Sequence, residues 1–125
     1  MSRRATVRVT ENFERNLDEI RRFLEEAGLS SAFGDLLDLV FEDVIPSLEV
    51  SPLLGFDFLA RAPQSAEVEA RILALKRRLG SDSSLREYIA GEYLLLYALS
   101  GERIHLLAIK HHRQLSFDLQ ALWRR

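Results

Sequence analysis

Apolar residues follow two different periods along this chain, and the change of period divides it. Early on they fall at Phe13, Leu17, Ile20, Leu24 and Ala27, spaced to line one side of an α-helix. Thr10 just ahead of the stripe is placed to cap the first turn with its hydroxyl. Glu11 suits the positive end of the helix, and Gly28 ends it. Residues 4–9 alternate instead, with Val7 and Val9 set against Arg8, and predict a short opening strand. A second helix is expected after Ser30 or Ser31, with Phe33, Leu36, Leu37, Val40, Phe41, Val44 and Ile45 inward and Asp35, Asp38, Glu42 and Asp43 outward. A link of about three residues makes the two an antiparallel hairpin. Pro46, without a backbone N–H, is expected to end or kink the second one.

Ser51-Pro52 and Gly55 mark a turn, and residues 57–65 read as a loop. Ser65 can cap a third helix running to Leu79, with Val68, Ile72, Leu75 and Leu79 on its buried side and Gly80 after it. Lys76-Arg77-Arg78 in its last turn complements the helix dipole and reads first as a solvated helix end. Ser81 to Ser84 is a polar link. From Leu85 the pattern is that of strands: Leu85–Ala90, Glu92–Leu99 and Arg103–Lys110, separated by Gly91 and by Ser100-Gly101, links short enough for antiparallel hairpins. The middle segment, Tyr93 to Leu99, is apolar on both faces, as a central covered strand is. Phe117, Leu119, Leu122 and Trp123 require the tail to pack, as helix or as extended chain.

The fold class is therefore α+β: an N-terminal strand and a helical hairpin on an antiparallel sheet, with an extra helix before the C-terminal meander. At 125 residues the chain reads as one domain, 1–125, with a single core. The absence of cysteine excludes disulfides, thiolate nucleophiles and cysteine-containing metal motifs. No apolar run reaches membrane-spanning length and residues 1–10 lack the apolar middle of a signal peptide, so a cytoplasmic protein away from membranes is expected. No cofactor is implied. Adjacent His111 and His112 point to opposite sides of a strand and His105 is distant, so no metal site is expected.

Charge is unevenly distributed behind a net value of −2. Residues 23–60 hold eight acids and neither Lys nor Arg, whereas residues 1–22 hold six Arg against four acids, and residues 61–86 six bases against three acids. The overall acidity, with a pI near 5.9, argues against bulk nucleic-acid binding and leaves room for a local basic surface built from the two ends.

The order of elements, with Ser51-Pro52-Leu53-Leu54-Gly55 closing the helical pair, then Leu85-Arg86-Glu87-Tyr88-Ile89-Ala90-Gly91-Glu92-Tyr93-Leu94-Leu95-Leu96-Tyr97, then Ile104 to Arg113, resembles the RelE/ParE superfamily of bacterial toxins. The resemblance covers most of the chain. One departure is the connection 57–84, longer than is usual in that superfamily. The resemblance implies the toxin of a type II toxin–antitoxin pair and an antitoxin that wraps it. The basic surface near Arg113, rather than the acidic Glu42/Asp43 face, is where an acidic antitoxin segment would lie.

The superfamily includes ribosome-dependent mRNA endonucleases and ParE-like proteins that poison DNA gyrase by binding, and Lys110-His111-His112-Arg113 is similar to both. By resemblance His112 and Lys110 match a catalytic His and a basic residue of the nucleases, whereas His111 and Arg113 match the "H-x-R" of ParE-like endings. Strand alternation puts Lys110 and His112 on one face, His111 and Arg113 on the other. His suits proton transfer near neutral pH and Lys or Arg suits a phosphorane charge. Lys110 and His112 are thus the catalytic candidates, with Arg86 or Tyr88 on the adjacent strand contributing, and His111 and Arg113 the binding candidates. Against a nuclease, Tyr88 stands where that branch carries an Arg, and Arg113 where it carries an aromatic residue. The leading expectation is a growth-inhibiting toxin, leaning slightly to mRNA cleavage. A gyrase inhibitor without catalysis, or a non-toxic interaction module of the same fold, is the alternative. Tyr93 and Tyr97, on one face with Leu95 and Leu99, are expected in the core.

Overall fold

The computed structural model describes residues 4–57 and 83–111, together with Ala70, Leu73, Ala74, Arg77, Arg78 and Gly80. Strand β1 (Thr6–Val9) leads into helix α1 (Glu11–Glu26) through Thr10, whose extended backbone lets its hydroxyl accept the Phe13 N–H. Helix α2 (Ser30–Asp38) follows after three residues and packs back on α1. It runs on through a π-helical segment, Leu39–Val44, into α3 (Ile45–Val50).

Pro46 therefore does not end the helical path, and the irregularity there is a π turn just before it. The Ile45 N–H reaches back to the Val40 carbonyl, widening the turn just before the proline. Pro46 then stands in the first turn of a new α-helical segment, where a missing donor costs least.

The expected turn follows α3, with the Leu54 N–H bonded to the Ser51 carbonyl. Phe56–Asp57 then forms a short edge strand, β2, where the alternation was too brief to separate strand from loop. Ala70, Leu73, Ala74, Arg77 and Arg78 are helical and exposed. The rest of the helix expected over 65–79, its inward residues included, and the tail 115–125 lie outside the described residues. The last three strands are β3 (Ser84–Ala90), β4 (Tyr93–Ser100) and β5 (Arg103–His111). Each hairpin turns on two residues, Gly91-Glu92 and Gly101-Glu102, with the glycines at φ +57° and +61°. Positive φ at the first central position alone is the type II′ pattern, whose twist matches that of the paired strands.

The sheet order is β1-β5-β4-β3-β2, so β4 is central. Every pairing is antiparallel except that of β1, which lies parallel to β5 (Val7 opposite Ile104, Val9 opposite Leu106), making the sheet mixed. α1, α2, the π segment and α3 cover one face. Phe13, Leu17, Leu36, Val40, Val44 and Leu48 pack there against Leu95, Tyr97, Leu99, Ile104, Leu106 and Ile109. Burying a core side chain of this size contributes about 1.5–3 kcal/mol.

Candidate functional site

The register of β5 decides what the candidate residues can do together. Leu96 lies opposite Ala108, but Tyr97 lies opposite Leu106, so Leu107 is an extra residue, a β-bulge. Beyond it, Ile109 and His111 share the helix-covered face, opposite Leu95 and Tyr93, while Ala108 and Lys110 share the other, opposite Leu96 and Leu94. On β3, pairing with β4 sets Arg86 opposite Tyr97 and Tyr88 opposite Leu95, on the helix-covered face. Glu87, opposite Leu96, is on the face of Lys110.

The structure does not gather Arg86, Tyr88 and Lys110. β3 is not the neighbour of β5, because β4 lies between them, and the sheet itself separates Lys110 from the other two. Arg86 also has a local task. Its Nε donates to the Gly55 carbonyl at 2.9 Å and its terminal nitrogen faces the Leu53 carbonyl at 3.5 Å. The fully buried Tyr97 hydroxyl accepts the Gly55 N–H at 2.9 Å and donates to the Pro52 carbonyl at 2.7 Å. Together Arg86 and Tyr97 fasten the Pro52–Gly55 turn to the sheet. Gly55 is required by closeness: a Cβ there would stand 2.7 Å from the Tyr97 ring and 2.9 Å from the Glu87 carbonyl. Burial pushes the Tyr97 phenol above its ordinary range. Tyr88 and Tyr93 pack against the core.

Lys110 is buried on the far face, and burial lowers its pKa, partly opposed by the charge of Glu87. Leu85, Leu96, Ala98 and Ala108 are buried on that face too. His111, half-buried, sets its ring edge-on to Tyr93, with centroids 5.5 Å apart and planes at 86°. Its Nε2 lies 3.6 Å from a carboxylate oxygen of Glu92, an ion pair when the imidazole is protonated. His112 and Arg113 lie outside the described residues.

Sequence reasoning missed a basic row. The parallel pairing sets Thr6 opposite Arg103 and Arg8 opposite His105, and all four stand on the face of Lys110. Arg8 and Arg103 are exposed and His105 is half-buried. The basic N-terminal segment was visible in the charge count, but a join between residues 97 apart leaves no local signal. Among the described residues, no three His, Asp or Glu side chains are placed to hold a metal ion, and no helix is long and apolar enough to cross a membrane.

A family model for the ParE toxin of type II toxin–antitoxin systems, parDE, matches residues 7–116. The chain belongs to this family. It is thereby a member of the RelE/ParE toxin superfamily, the toxin half of a toxin–antitoxin pair, with a cognate antitoxin as its partner. No match was found among curated proteins. In this ParE-family toxin, the Pro-x-x-Gly turn that drew the resemblance is the one fastened by Tyr97 and Arg86.

Proposed function

We propose that this toxin arrests growth by binding DNA gyrase, the ParE-like mode, and not by cutting mRNA. One observation carries this reading: Arg86 and Tyr88 stand across the sheet from Lys110, and Arg86 is engaged by the Pro52–Gly55 turn. Cleavage beside a 2′-hydroxyl requires a base, an acid and a cation converging on one phosphate. Without Arg86 and Tyr88, the nuclease reading rests on Lys110 and His112 alone. Binding needs only a presented surface, and exposed Arg8 and Arg103 with half-buried His105 offer one on the far face, while His111 and Arg113 are the binding candidates that the resemblance supplies. The cognate antitoxin, through an acidic segment, is assigned to the basic surface near Arg113.

Growth after induction tests the reading, with folding checked by thermal melts. Arg113→Glu is expected to restore growth, and His112→Ala to leave arrest intact. Purified toxin should stall gyrase on plasmid DNA. Cleavage of ribosome-bound mRNA by the parent, abolished in His112→Ala, would overturn the proposal in favour of the endonuclease. Such a loss is expected to be about 10²- to 10⁴-fold for a general acid or base. An induced parent that neither arrests growth nor touches either target would leave a non-toxic interaction module.

A further inference from the structure

The outer edge of β5 is held by two kinds of partner. Along Arg103–Leu106 the partner is β1, and the Thr10 N–H extends that ladder to the Leu106 carbonyl at 3.1 Å. There the chain turns into α1, and side chains of the helix take over. The Asn12 amide nitrogen donates to the carbonyl of the bulge residue Leu107 at 2.8 Å, and the Thr10 hydroxyl donates to the neighbouring Leu106 carbonyl at 2.8 Å. One turn later in α1, the Asn16 side-chain oxygen accepts the Ile109 N–H at 3.1 Å. Both sides of the bulge are therefore bonded to the first two turns of α1.

The orientation of these amides follows from their neighbours. Arg15, which can only donate, bonds the Asn12 oxygen at 2.6 Å and leaves the nitrogen for Leu107. That nitrogen lies 3.4 Å from the Asn16 oxygen as well. Asn12 is buried and Asn16 half-buried, so neither loses its partner to water at low cost.

The bulge has a consequence for function because strand side chains alternate. Removing the extra residue would turn every later side chain of β5 to the other face, with Lys110 toward the helices and His111 away from them. We propose that Asn12 and Asn16 are positioning residues for the functional strand: a donor at 12 and an acceptor at 16 hold the Leu107 bulge and so set which faces Lys110 and His111 occupy. The toxicity arm of the test rests on the reading that the end of β5 engages the target. The register arm does not.

The two asparagines must respond oppositely to the same isosteric change. Asn12→Asp puts an oxygen against the Leu107 carbonyl, whereas Asn16→Asp keeps the acceptor that Ile109 needs. Nuclear magnetic resonance of the full chain reads the register through the proton contact between the Tyr93 and His111 rings, and through exchange of the Ile109 amide. Asn12→Asp and Asn16→Leu are expected to lose the ring contact, and in Asn16→Leu the Ile109 amide should exchange about tenfold faster or more. Asn16→Asp is expected to keep both signals and to arrest growth like the parent. If Asn12→Asp does not fold, Asn12→Ala removes the donor without adding a charge and carries the same expectation. Equal behaviour of Asn12→Asp and Asn16→Asp in the ring contact overturns the positioning role. Loss of the contact in Asn12→Asp with growth arrest unchanged supports the positioning role and overturns the assignment of target binding to the end of β5.

Discussion

The two faces of the sheet are made by the same strands yet treat polar groups in opposite ways. Under the helices, Leu95, Leu99, Ile104, Leu106 and Ile109 meet aliphatic and aromatic side chains, and the hydroxyl of buried Tyr97 both donates and accepts. On the far face, Leu85, Leu96 and Ala98 are buried to a similar degree, but Glu87 and Lys110 are buried among them and a row of Arg8, Arg103 and His105 runs beside them. A buried charge costs stability unless its partners are good, and replacing a buried pair by apolar residues is often neutral or stabilising. The helix-covered face is thus organised for stability, with one polar clamp that fixes the turn after α3. The far face instead buries ionisable groups, Glu87 and Lys110, among its apolar residues.

The sharpest way to break this comparison is to place a new charge on the far face. Leu96, fully buried, becomes an unpaired carboxylate in Leu96→Asp, and a loss of about 4 kcal/mol or more, enough to unfold the domain, is expected. A soluble variant with a cooperative melt near that of the parent would mean that the far face is wet in solution.

Next come two changes on the helix-covered face at the clamp. Gly55→Ala forces a methyl against the Glu87 carbonyl and the Tyr97 ring, and about 1–3 kcal/mol of destabilisation should appear in chemical denaturation. Tyr97→Phe removes the hydroxyl that serves Gly55 and Pro52 and should cost about 1–2 kcal/mol, with the strands intact by circular dichroism. A Tyr97→Phe protein as stable as the parent would show that Arg86 alone secures the turn.

Alkaline pH separates the faces by sign. The lowered pKa of Lys110 means that the unfolded chain holds this proton more tightly, so its contribution makes stability rise with pH as the folded protein loses the proton, until the unfolded value near 10.5 is passed. Tyr97 and Tyr93 act the other way. Their raised pKa values let the unfolded chain ionise first, so their contribution falls as pH climbs above about 10.0. Denaturant titrations between about pH 8 and 11 should show a shallower alkaline loss in Tyr97→Phe and a steeper one in Lys110→Met. The same slope in Lys110→Met and the parent would mean that Lys110 is solvated. The smallest effect is expected far from both faces. Arg21 bridges Asp18 and Glu25 on exposed α1, where the Arg21 hydrogen bond lowers the pKa of Asp18, yet Arg21→Ala should melt with the parent because exposed ion pairs contribute little.

How much of this was legible depended on the range of the interaction. Thr10 as a cap, the α1 stripe, Gly91 and Gly101 as turn residues and the apolar β4 all act within a few residues, and each was readable from spacing. Pro46 was expected to end or kink the helix, and the path continues because a π turn precedes the proline and sets it in the first turn of a new α-helical segment. Asn12 and Asn16 flank the apolar stripe, and nothing near them in sequence says that a bulged strand edge needs their amides. Of the candidate site, the alternation that separates Lys110 from His111 was legible. The position of Arg86 and Tyr88 across the sheet was not.

By itself, then, the sequence determined β1, α1, the start of the second helix and the three C-terminal strands, the alternation within them, the resemblance that the family match bears out, and the charge segregation. Those properties follow from periods of two and 3.6 residues and from single-residue backbone preferences, which act locally. Only the tertiary structure decided that β1 pairs with β5, that Leu107 is an extra residue, and that Arg8 lies beside His105. A single residue of register moves every later side chain of a strand to the other face. Strand pairing across the length of the chain is selected by the whole core packing at once, so the facing of Lys110 and His111 was set there and not in their own neighbourhood.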